Sequence, residues 1–293
     1  MKIRDSRTDT LKPTLDGLYQ SFNQADSATD PIQIVRRFTA SDDREIVAFI
    51  AAGLAFGRVS SVMHSIERVV ALMGRSPVQF VRDFEPARDR EPFREFVHRW
   101  IRGTDIVALL WLMHQILASH GSLEGFFVEG DPGGDDVRDA LDSFSQRAMA
   151  LDLRTAYGRV PARPLVSYFF PRASAGSACK RLNLFMRWMV RQDALDLGVW
   201  TRVSPARLIV PLDTHIIRVG RCLQLPKYTS PGWPMALDIT RALRALDPAD
   251  PVKYDFSVCH LGMMNACGFE TPRGDSQCPL KGVCRPKPRR KSR

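Results

Sequence analysis

GSACKRLNLFMRWMV, residues 176–190, reads as a short glycine-containing turn that leads into an amphipathic helix over 180–190. Phe185, Met186 and Trp188 form a stripe whose plain reading is core. Working outward, the same helical period recurs along the chain. Downstream, RLIVPLDTHIIRVGRCL (207–223) places Asp213 immediately before a helix over 214–223, the position at which a carboxylate caps the free backbone N–H groups of a first turn. Upstream, DDREIVAFIAAGLAF (42–56) carries acids in its first turn, apolar residues at helical spacing, and a stop at Gly57. Another helix starts at Ser60 and runs through VMHSIERVVALMG to a glycine. Further helices are expected over 92–101, 105–118, 137–151, 233–246 and 253–265, with loops at GDPGGDD (130–136) and SPGWP (230–234). No stretch alternates convincingly at period two. The expected fold is therefore all-α.

Charge points to a polyanionic partner. The net charge is +10, yet the closing RPKPRRKSR holds six basic residues and no acid. Without them the net charge falls to about +4, so the tail at 285–293 dominates the field. Two readings of that tail stand: a disordered solvated end, and an extra set of salt-dependent phosphate contacts. The longest apolar runs are far shorter than the roughly 20 residues that span a bilayer. MKIRDSRTD has no apolar segment behind its charges, so the expectation is a cytoplasmic protein, without membrane association and monomeric. Six cysteines in such a compartment suggest core or metal roles rather than disulfides.

Three motifs, in order, carry a resemblance. PLDTHIIRV (211–219) resembles the catalytic segment of the endonuclease III branch of the helix-hairpin-helix DNA glycosylases. GSACK (176–180) resembles that family's hairpin, and DFSVCHLGMMNACGFETPRGDSQCPLKGVC (255–284) resembles its closing helix and cysteine loop. The match spans 176–284, and the pairing of CKRLNLFMRWMV with PLDTH is similar to an uncharacterised bacterial branch of the superfamily. The resemblance implies two helical lobes with a cleft between them and a helix-hairpin-helix element. A central lobe would cover 58–179 and end in the hairpin; 1–57 and 180–284 would build the second. It implies Lys180 and Asp213 as catalytic residues, Gly176, Ser177, Ala178 and Arg181 as nucleic-acid contacts, and damaged double-stranded DNA as partner. The implied reaction is removal of a damaged base, with strand-nicking lyase chemistry if Lys180 is the nucleophile. A non-catalytic nucleic-acid-binding protein of the same fold is the alternative. Locally, Asp213 also reads as a plain helix cap, Lys180 as a solvated residue at a helix start, and His215 as a residue orienting the helix.

Departures from the family pattern are specific. Ala178 stands where the hairpin has its second glycine, a place where a positive φ would strain alanine. An insertion around QDALDLGVWTRVSP lengthens the interval between Lys180 and Asp213. The family's iron–sulfur ligands follow Cys-x6-Cys-x2-Cys-x5-Cys. Here Cys267, Cys278 and Cys284 match three positions and Gly274 falls near the second. A [4Fe-4S] cluster would have an incomplete ligand set, with Cys259 or His260 as the candidate fourth ligand; zinc and a metal-free loop are the other readings.

Overall fold

The structure is a computed structural model that describes residues 6–25, 30–263 and 278–284. The fold is all-α. Its helices are α1 Ser6–Phe22, α2 Ile32–Val35, α3 Ser41–Leu54, α4 Val59–Met73, α5 Pro77–Arg82, α6 Pro86–Asp89 and α7 Gly103–His120. They continue as α8 Leu123–Glu129, α9 Arg138–Met149, α10 Arg154–Tyr157, α11 Lys180–Val190, α12 Thr214–Cys222, α13 Trp233–Arg244 and α14 Asp255–Met263. No single described helix is long and apolar enough to cross a membrane.

Helix α3 is the organising element. Its residues 46–54 are buried all round, as expected of a helix that is apolar on every face. It packs on α2, α4, α5 and α11. Its buried Glu45 accepts the amides of Leu123 (2.9 Å) and Glu124 (2.8 Å) at the start of α8, and the Trp200 indole N–H at 2.6 Å. Burying a carboxylate is costly unless its oxygens are bonded, and three donors meet that need. Asp142 on α9 does the same for the hairpin before α11, accepting the amides of Ala173 (2.6 Å) and Ser174 (2.9 Å).

The N-terminal helix fixes the other side of the molecule. Leu11, Leu15 and Leu18 form its buried stripe, and α1 packs on α14. Asp16 accepts from the Tyr254 hydroxyl at 2.7 Å, just ahead of α14. Helices α12 and α14 also pack together, and Gly262 permits the closeness. A Cβ there would lie 2.7 Å from His215 Cβ and 3.1 Å from its Cα. Gly262→Ala is therefore expected to cost about 1–3 kcal/mol by overpacking. A lower urea midpoint with an unchanged m-value would show it; an unchanged midpoint would mean that the two helices separate freely.

One expected helix is absent. Residues 92–101 form part of a 3-10 turn, Glu91–Phe93, followed by a two-stranded antiparallel hairpin, Val97–His98 with Ile101–Arg102. Arg99 sits at the bend with φ 57°. Phe96 and His98 are buried while Val97 is exposed, a period-two alternation, and Ile101, the cross-strand partner of His98, is buried as well. His98 fixes the hairpin inward through Ser65 Oγ (2.9 Å) and the Phe56 carbonyl (3.0 Å).

Candidate functional site

The hairpin ahead of α11 is drawn tight by its own amides. Those of Ala175, Gly176 and Ser177 donate to the carbonyls of Arg172, Ala173 and Arg172, at 3.2, 2.9 and 3.3 Å. Positive φ falls on Gly176 (86°) and on Cys179 (50°), which is the N-cap of α11. The strain anticipated at Ala178 sits one residue later, on a cysteine held in the left-handed region. Cys179 is buried, which pushes its thiol up to about 12, and its amide donates to Ser177 Oγ at 3.0 Å. Of the four residues expected to meet nucleic acid, Gly176 and Ser177 thus use their amides internally. Ser177, Ala178 and Arg181 line one shallow groove with Lys180. The Arg181 guanidinium lies 3.2 Å over the Tyr168 ring, and burial lowers its pKa to about 10.

Lys180 and Asp213 meet in one cavity of ≈ 430 Å³, within the roughly 300–1,000 Å³ range of small-molecule sites. Lys180 is the first residue of α11, and its Nζ donates to the Ala55 carbonyl beyond the end of α3, at 3.3 Å. Asp213 caps α12 as expected: Oδ1 accepts the amides of His215 (2.9 Å) and Ile216 (2.8 Å). Its other oxygen, Oδ2, accepts from Cys259 Sγ at 3.4 Å, and both residues line the cavity. Burial, then the negative charge of Asp213, raises the Cys259 thiol well above its usual range, so the sulfur stays protonated and donates. His215 also lines the cavity, pressed against Gly262.

The lining of the same cavity includes an ion pair that periodicity alone does not single out. Arg187 on α11 and Asp255 on α14 both line it, and each is 3% exposed. Arg187 Nη1 donates to Asp255 Oδ2 at 2.5 Å, and Nε donates to Asp196 Oδ1 at 3.1 Å. Burial pushes the Asp255 carboxyl up to about 6, against the pull of Arg187. Burial opposes the charge of Arg187, but Asp196 and Asp255 outweigh it and hold that charge firmly. The available signal was a lone arginine in the apolar run FMRWMV and a lone acid opening α14, because charged residues are buried almost only when paired.

Among the described residues, no group of three or more His, Cys, Asp and Glu side chains is placed to hold a metal ion. Cys267 and the basic tail lie outside the described residues. Cys278 is buried and Cys284 half-buried. Cys259, the candidate fourth ligand, is engaged with Asp213 instead. His260 holds the Phe256 carbonyl through Nδ1 at 2.9 Å.

Among known proteins, the model of one family, described as a protein of unknown function (DUF2400), matches residues 30–264. No curated protein and no solved structure matches the chain.

Proposed function

We propose that this chain, which belongs to the DUF2400 family, is a DNA N-glycosylase that removes a damaged base and nicks the strand through Lys180 and Asp213. The observation that carries the reading is that these two residues, far apart in sequence, line one cavity together. The net charge of +10 supports a polyanionic substrate.

A flipped nucleotide enters with its sugar C1′ beside Lys180. The neutral amine attacks C1′; the new N–C1′ bond forms as the glycosidic bond breaks, and the base leaves with that bonding pair and takes up a proton. The Asp213 carboxylate stabilises the positive charge that develops on the sugar. The C1′–O4′ bond then opens, its electrons and a proton going to O4′, which leaves a Schiff base on Lys180. Loss of a C2′ proton expels the 3′ phosphate with its bonding pair and nicks the strand.

Borohydride reduction of the Schiff base tests this directly. Wild-type protein is expected to form a covalent adduct with a duplex containing an abasic site, and Lys180→Ala to form none. An adduct undiminished in Lys180→Ala would remove Lys180 from the chemistry. Salt-dependent duplex binding, with neither an adduct nor base release across a lesion panel, would select the non-catalytic reading instead.

A further inference from the structure

Two buried polar atoms on residues that line the cavity have no hydrogen-bond partner among the described residues: Asp255 Oδ1 and Arg187 Nη2. They flank the single bond between Arg187 Nη1 and Asp255 Oδ2. One buried ion pair in the cavity lining thus carries both an acceptor and a donor without a partner among the described residues. Asp196 grips Arg187 Nε from behind, so the guanidinium does not turn to satisfy itself. Buried polar atoms left open in this way call for a partner that the described residues do not supply.

We propose that this pair reads the edge of a nucleobase through a ring N–H and its adjacent carbonyl, the lactam edge carried by uracil, thymine, hypoxanthine and guanine. The inference rests on the reading of this cavity as a base pocket. A carboxylate facing an imide-type N–H, and a guanidinium facing a carbonyl, give two charge-assisted hydrogen bonds. Adenine and cytosine offer an exocyclic amine and a ring nitrogen, which are poorer matches for those two charges. The placement suits a base whose sugar sits at Lys180. At 1.5 Å of rise per residue, Arg187 lies about 10 Å along α11 from Lys180. Leu184 falls between them and also lines the cavity. Phe56 and Phe256 give it flat apolar walls, and Phe256 packs against the His260 ring in a tilted contact with centroids 3.8 Å apart.

Titration of the full chain with free bases at pH 7.5, followed by saturation-transfer NMR, tests the inference on unaltered protein. Uracil and hypoxanthine are expected to bind. Both are used with the glycosidic nitrogen methylated, as 1-methyluracil and 9-methylhypoxanthine, because free uracil and free cytosine carry a further lactam edge at N1–H and C2=O. A second methyl at uracil N3 or hypoxanthine N1 removes the remaining ring N–H and should weaken binding roughly ten- to a hundredfold, and 1-methylcytosine and 9-methyladenine should also trail. In Asp255→Asn the amide oxygen must stay toward Arg187, so an N–H replaces the open acceptor and the lactam preference should vanish. Doubly methylated bases that match their singly methylated parents, 1-methylcytosine and 9-methyladenine that match 1-methyluracil and 9-methylhypoxanthine, or no binding by any base would each overturn the inference. Trapping at an abasic site needs no base. An adduct without lactam preference therefore fails this inference alone, and lactam-selective binding without an adduct fails the lyase reading alone.

Discussion

Asp213→Asn is expected to slow base release by roughly 10²- to 10³-fold in single turnover while leaving the fold almost unchanged. The amide keeps an oxygen where Oδ1 accepts from His215 and Ile216, so the cap on α12 survives. What disappears is the negative charge beside Cys259 in the cavity lining. Asp213→Ala removes both, and should add a loss of about 1 kcal/mol for the missing cap. Thermal unfolding and single-turnover kinetics on the same three proteins separate the two roles. If Asn restores stability but not rate, the charge acts on the chemistry. A rate for Asp213→Asn within a few-fold of wild type would leave Asp213 as a cap alone, and the proposed reaction would lose its electrostatic stabiliser.

Helix starts and apolar stripes were the legible part of this protein. The 180–190 helix is α11 to the residue, and Asp213 caps α12 as its position before an apolar-periodic run requires. Both depend on contacts within a few residues, which local sequence records. The hairpin at 97–102 was missed because its alternation is only a few residues long and sits inside a plausible helical pattern. Helix α1 was passed over; Pro13 lies inside it and reads as a breaker, while its stripe of Leu11, Leu15 and Leu18 gains its meaning from packing on α14.

The site divides in the same way. Lys180 and Asp213 stood out because GSACK and PLDTHIIRV resemble known motifs. Asp255 and Arg187 did not, because a buried ion pair is a long-range contact that leaves no local period. Cys259 illustrates the limit from the other side. Its place near the cysteine loop suggested a metal ligand, whereas its neighbour in space is Asp213. The insertion 192–205 lengthens the interval between Lys180 and Asp213 and contributes no residue to the cavity lining. Its acids reach the cavity indirectly instead: Asp196 binds both Arg187 and Arg191, and Asp193 binds Arg191.

Asp196→Ala should accordingly be among the most destabilising single changes in the chain, at about 3–5 kcal/mol. Its carboxyl is 1% exposed and lies between two arginines that are themselves 3% and 4% exposed. Burial raises its pKa, against the pull of Arg187 and Arg191, so the ion pairs are what keep it charged. Removing it takes a carboxylate from each of two buried guanidinium groups: among the described residues Arg187 then keeps Asp255 alone, while Arg191 keeps Asp193 and Asp250. Asp250 is the internal control. It bonds the same Arg191, at 2.8 Å, but is 28% exposed, and water replaces much of what its loss removes, so Asp250→Ala should cost no more than about 1 kcal/mol. In an Arg191→Met background the cost of Asp196→Ala should shrink, because one of the two guanidinium charges is already gone. Equilibrium urea unfolding of these variants decides the matter. Equal losses for Asp196→Ala and Asp250→Ala would mean that the network is not centred on Asp196, and that Arg187 holds its place in the cavity through Asp255 alone.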